Sequence, residues 1–295
     1  MKKTTSLIVL LLTFSLTLSL SAHSSNGEDS PKSETRQLTD FNKVEIDFIG
    51  DVELVQSNES KVIVYCESED VISKVITNVV SHKLTVTMQK NMLLNVKKLK
   101  VRIYSPHFVD VNKQGTGNLL VGDISGDNLV LTIGGTGETD IASIKMTQSM
   151  TVENKSVSKV EIRDYDAQTV VVNTSGAGSF TMKKKSMNSV NDKDYASKSV
   201  EFIIAGAGVC DVDLSALSAK VVNKAVGNIT LNGTVENIVV KIYGVGNFKG
   251  QNLQVQNATL THKAVGEIWL DVRGNLQIVE SSGIGKMHLT SQGEN

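Results

Sequence analysis

Trp269 is the only tryptophan in the chain, and its neighbours in the pattern could do binding chemistry. Lys249 lies 20 residues before it and His288 lies 19 residues after it, while Asn228, Asn247 and Glu267 keep a matching spacing two residues ahead of that row. A flat aromatic ring among a cation, an imidazole, amides and a carboxylate suits a sugar-stacking or protein-binding platform, apolar on its face and polar at its edge. Asp140 and Glu161 form a second candidate set. On adjacent rungs of a sheet their carboxyl groups would stand roughly 5 Å apart, near the separation used by retaining glycosidases. Lys159 and Lys145 flank the pair, so the reading adopted is a pair of solvated ladder positions. The five histidines, His23, His82, His107, His262 and His288, show no His-x-x-x-His or carboxylate pattern of metal-ligand spacing. No catalytic residue, no metal site and no cofactor is therefore assigned.

Spacings near twenty require an element that repeats at that interval. Three-residue corners recur as Gly115-Thr116-Gly117, Gly135-Thr136-Gly137, Ser156-Val157-Ser158, Gly176-Ala177-Gly178 and Gly206-Ala207-Gly208, and then as Ala225-Val226-Gly227, Gly244-Val245-Gly246, Ala264-Val265-Gly266 and Gly283-Ile284-Gly285. A period near twenty residues is the mark of a solenoid. Counting from each corner, the fourth residue on is apolar in almost every copy, from Leu119 through Phe180 and Phe248 to Met287, and so is the sixth, from Val121 through Met182 to Leu289. The residues between them are mostly polar, which is the period-two alternation of a strand. Pairs such as Leu129/Leu131, Val170/Val172 and Ile238/Val240 give a second inward strand before each corner, and Ile124, Ile144, Ala167, Leu217, Val235 and Leu253 give a third point. Three sides per coil define an all-β, single-stranded parallel β-helix, a β-solenoid of about 20 residues per coil and about a dozen coils. The corners need small residues, with positive φ at some of them. The middle residues Val226, Val245, Val265 and Ile284 are read as filling the corner from inside; facing outward, they would make an aliphatic stripe suited to self-association.

Residues 1–24 read as a signal peptide, with Lys2 and Lys3, an apolar run from Leu7 to Leu20, and small residues around Ala22. Residues 25–37 read as a polar leader without fixed structure, and 38–295 as one β-helix domain. Within it, 38–112 is expected to hold degenerate amino-terminal coils, with Asp70–Val80 favoured as strand over a short amphipathic helix. Residues 113–295 hold the regular coils, with an insertion near 183–198. No cysteine follows the signal to accept a lipid anchor, and no later segment has the length of a transmembrane helix. Cys66 and Cys210, the two cysteines, fall several coils apart, too far for a bridge, and are expected as buried thiols. A net charge of −1 offers no basic surface for nucleic acid.

The phrase Phe41-Asn42-Lys43-Val44-Glu45-Ile46, followed by Gly50-Asp51-Val52-Glu53-Leu54 and the later Gly-x-Gly-Asn-apolar phrases, resembles the auto-transporter adhesin head family, also called the head GIN domain. The resemblance runs from about residue 40 to 290. It implies a right-handed parallel β-helix in an exported protein of the Bacteroidetes type, periplasmic, on the outer surface or secreted, and called an adhesin by analogy of fold. It carries no catalytic residues across. The expected function is that of an exported, non-enzymatic, adhesin-like binding protein that meets carbohydrate or a cell-surface protein. The alternatives are a polysaccharide-degrading β-helix enzyme and a self-assembling structural protein of the envelope.

Overall fold

A computed structural model describes residues 32–89, 98–185 and 196–291. The expected signal peptide 1–24, the expected leader as far as residue 31 and the centre of the expected insertion, 186–195, lie outside the described residues. Pro31–Asn295 forms one compact unit.

The amino-terminal part comprises β1 (Lys32–Gln37), β2 (Lys43–Ile49), β3 (Asp51–Gln56), β4 (Lys61–Cys66), α1 (Glu69–Ile72), β5 (Val75–Val80), β6 (Lys83–Met88), β7 (Lys100–Ser105) and β8 (Asp110–Thr116). Alternating apolar residues put Val44, Ile46, Val52, Leu54, Val62 and Val64 inside. The run from Val44 to Leu54 is broken at Gly50, whose φ of 145° turns the corner between β2 and β3. In the 70–80 stretch both readings hold in part, because α1 ends at Ile72 and β5 begins at Val75.

The regular coils follow. β9 (Leu119–Ile133) and β10 (Thr139–Asn154) each pass through a whole coil. β11 (Val160–Ile162), β12 (Tyr165–Asp166) and β13 (Thr169–Thr174) make the next, then β14 (Phe180–Met182) and β15 (Ser197–Ile204). β16 (Cys210–Asn223), β17 (Ile229–Ile242) and β18 (Phe248–His262) are again continuous, and β19 (Ile268–Val272), β20 (Leu276–Ser281) and β21 (Met287–Ser291) complete the series. Each coil pairs in parallel with the next, Thr139 with Leu119 and Val160, Ile229 with Cys210 and Phe248. The result is a β-solenoid of about nine turns with coils about 20 residues apart.

The count falls below a dozen because residues 38–112 are not simply degenerate coils. β2 sits in parallel between β6 and β8, and β3 between β7 and β9, so this stretch does belong to the stack. Outside it, β5 runs antiparallel on β6, β4 antiparallel on β7, and β1 antiparallel on β4. The β5–β6 hairpin turns through Ser81 and His82 at φ 50° and 59°, a two-residue turn made without the usual Asn-Gly signal. Order also begins earlier than Leu38, since the final six residues of the expected leader are β1. Their polarity suits an edge strand as well as it suits a linker.

Apolar ladders fill the interior. Leu119, Val160, Phe180, Ile229, Phe248 and Ile268 form one buried column, and Val170, Val200, Ala219 and Ile238 contribute to another. Each fully buried aliphatic side chain contributes about 1.5–3 kcal/mol relative to exposure. In the β16 coil the short side, second in chain order, is filled by Leu214 and Ala216, and Leu217, expected inward, is exposed. Polar residues also enter the core unannounced, Lys113, Asn154, Asn223 and His262 among them. Lys113 is buried and donates from Nζ to the Thr136 carbonyl at 3.1 Å, and burial pushes its ammonium below the usual lysine range. Asn154 turns inward to accept the Ser156 amide at 3.0 Å, stitching that corner.

Candidate functional site

The third corner position carries the conformational demand. Gly246 has a φ of 131°, and a Cβ there would stand 2.1 Å from the Gly227 carbonyl oxygen of the preceding coil. That contact explains why the corner repeats: each of these glycines makes room for the backbone of the coil before it. The middle residue, by contrast, turns outward. Val226, Val245, Val265 and Ile284 are 60%, 49%, 49% and 74% exposed, which reverses the expectation that they fill the corner. They join their neighbours through single parallel bridges, forming a straight aliphatic ridge.

The residue after each corner starts the first side, and its role is set by the coil below it. The side-chain oxygen of Asn228 accepts the backbone amide of Asn247 at 3.0 Å, and that of Asn247 accepts the amide of Glu267 at 2.9 Å. Asn118 does the same for Glu138 at 2.9 Å. The asparagines therefore stitch coil to coil through their oxygens. Glu267 ends the run and is released to reach sideways, where its carboxylate meets His288 Nε2 at 3.2 Å.

Two residues further along, Lys249, Trp269 and His288 are direct lateral partners on β18, β19 and β21. Trp269 is half-buried and His288 exposed. Their rings stack with centroids 5.0 Å apart and 6° between planes. Glu267 thus fixes the imidazole, and the imidazole covers one face of the indole. All six predicted residues, Asn228, Asn247, Lys249, Glu267, Trp269 and His288, fall on this one strip.

Elsewhere, Asp140 and Glu161 are lateral partners as the spacing required. Asp140 is paired with Arg163 rather than Lys145, and Glu161 with Lys159 at 2.5 Å. The Lys159 hydrogen bond holds the Glu161 carboxyl below the ordinary glutamate range, the opposite of what a general acid needs. Among the described residues no group of three or more His, Cys, Asp or Glu could hold a metal ion. Cys66 and Cys210 are buried thiols outside any disulfide, and burial pushes the Cys210 thiol up to about 12, away from thiolate chemistry. At the flank of the insertion, Lys183 pairs with Asp211 at 2.8 Å and Asp213 at 3.2 Å, and Lys184 donates to the Tyr165 carbonyl at 2.9 Å. No described helix is long and apolar enough to cross a membrane.

The fold has solved counterparts. A crystal structure of a putative adhesin from Bacteroides fragilis is 18% identical, covers 88% of this chain and 97% of its own, and superposes with a TM-score of 0.55. One from Parabacteroides distasonis, also described as a putative adhesin, is 16% identical with the same coverage and a TM-score of 0.54. At these identities the likeness concerns the fold. No functionally curated protein matches the chain. The family model described as "Putative auto-transporter adhesin, head GIN domain" matches residues 40–193 and 184–292, nearly all of the solenoid, and the chain belongs to that family.

Proposed function

We propose that this is an exported, non-enzymatic binding protein of adhesin type, which presents the outward strip of its last coils to carbohydrate or to a cell-surface protein. The observation that carries the reading is the stacked Trp269–His288 pair, held on a rigid sheet by Glu267 and bordered by Lys249. The indole face turned away from His288 and the indole edge, with fixed hydrogen-bonding groups beside them, suit the apolar face and polar edge of a pyranose ring. The adhesin description of the family and of its Bacteroides and Parabacteroides neighbours supports a role outside the cytoplasm, as does the signal-like segment 1–24. The lowered carboxyl of Glu161 argues against the glycosidase alternative at that pair.

A glycan array probed with the mature protein and with Trp269→Ala tests the reading. We expect binding that the substitution weakens by about 0.5–1.5 kcal/mol, the range for aromatic stacking. Equal binding by both proteins overturns the site, and release of reducing sugar by the mature protein overturns the non-enzymatic role. The exposed ridge of Val226, Val245, Val265 and Ile284 favours a second reading, self-association. Concentration-dependent light scattering tests it, and a strict monomer at high concentration counts against it.

A further inference from the structure

The third side of the last coils carries an outward column of carboxamides. Asn237 of β17 and Asn257 of β18 are lateral partners, and Asn275, just before β20, continues the column. Asn257 Nδ2 donates to Asn237 Oδ1 at 3.0 Å, Asn275 Nδ2 to Asn257 Oδ1 at 3.3 Å, and Asn237 Nδ2 to the Leu217 carbonyl at 3.5 Å. With Ser218, Thr259 and Gln277 these amides line a groove of about 320 Å³.

Two properties define what would fit it. The lining contains no ionisable side chain, so it offers no ion-pair partner to phosphate, carboxylate or cation. It is nevertheless rich in hydrogen-bonding capacity. A carboxamide has two N–H donors, and the ladder spends one on each asparagine, so each keeps a second donor beyond the ladder. These donors recur at the strand spacing of about 4.8 Å, close to the advance per sugar of an extended β-linked polysaccharide. Hydroxyl groups, which donate and accept, are the natural complement of such a row.

We propose that this groove binds a neutral, extended polysaccharide lying along the coil axis, with successive sugars meeting successive amides. The groove is on the third side of the coils and the Trp269 strip is on the first, so the two surfaces are independent.

Native electrophoresis of the full chain through gels containing hydroxyethylcellulose, galactomannan or polygalacturonate tests this. We expect the neutral polymers to retard the protein and polygalacturonate not to. Thr259→Arg, which fills the groove without touching the ladder, should abolish the retardation at an unchanged melting temperature. Gln277→Ala should reduce it, and Trp269→Ala should leave it intact. The proposal is overturned if neither neutral polymer retards the protein, if only the acidic one does, or if both groove variants migrate like the parent. Should Thr259→Arg fail to fold, Gln277→Ala decides alone. Retardation abolished by Trp269→Ala and untouched by the groove variants would overturn this site and support the aromatic strip instead.

Discussion

At the amino-terminal end of the coil stack, β1, β4, α1 and β5 lie against β6 and β7 as an antiparallel cover, whose edge strand β1 is polar while its other edge strand, β5, exposes Ile76 and Val80. Arg36 of β1 ties the cover together, donating to the Ile72 carbonyl at the end of α1 at 3.0 Å and to the Val75 carbonyl at 2.6 Å. At the carboxy-terminal end, among the described strands, β20 pairs only with β18 and β21 only with β19. Ile278 and Val279 are there 45% and 61% exposed, and Met287 and Leu289 are only partly buried. A solenoid coil buries its apolar side chains against its neighbours, so a terminal coil keeps them dry only under a polar cap. The two ends thus differ in what a local change should cost.

The sharpest test of that difference is a pair of corner substitutions. Gly246→Val meets both a positive φ and the Gly227 carbonyl, and we expect a loss above ~4 kcal/mol in thermal unfolding. Gly285→Val has a similar φ of 143° and the same kind of backbone overlap, yet it should cost clearly less, because the last coil can fray without disturbing one above it. Equal losses would break the comparison. Next in size, Arg36→Ala removes charge-assisted hydrogen bonds to two carbonyls of the cover, which should lower stability by about 1.5–3 kcal/mol. No change in denaturant midpoint would show that the cover holds without its staple.

Acid should act on the covered end through Glu53. Burial pushes its carboxyl up, but hydrogen bonds from Lys100 and Arg102 outweigh that and hold it below the ordinary value of 4.5. A carboxyl lowered in the folded state stabilises above its unfolded value and loses that contribution as pH falls through the folded one. Melting temperatures taken downward from pH 4.5 should therefore fall less steeply in Glu53→Gln than in the parent. The smallest effect on stability belongs to the ridge: Val245→Ser and Ile284→Ser should stay within about 0.5 kcal/mol while reducing any light-scattering signal of association.

Much of the fold was legible because a coil imposes one pattern many times. The apolar columns from Leu119 to Met287 and the corners from Gly115 to Gly285 could be placed without coordinates, since period-two burial and small-residue corners follow from strand geometry alone. The lateral row of Lys249, Trp269 and His288 followed from the same period. Leu217 shows the limit, because on the short second side a one-residue shift exchanges inside for outside. Lys113 and Asn154 show another, since a buried polar residue depends on partners that the pattern does not name. The Asn237–Asn257–Asn275 ladder could have been found from its repeat spacing, but its polar residues matched the expectation for any solvated face.

The sequence by itself determined the period, the inward columns and the residues that share a rung, because local backbone geometry and burial repeat with every coil. Only the tertiary structure decided the rest. It turned Val226, Val245, Val265 and Ile284 outward, since the corner's direction depends on the coil beneath. It folded Lys32–Gln37 and Lys61–Val80 into an antiparallel cover, because long-range pairing chooses between strands that look alike locally. It also assigned the asparagines beside the Trp269 strip to stitching the coils through their oxygens, a role fixed by a backbone amide 19 or 20 residues away.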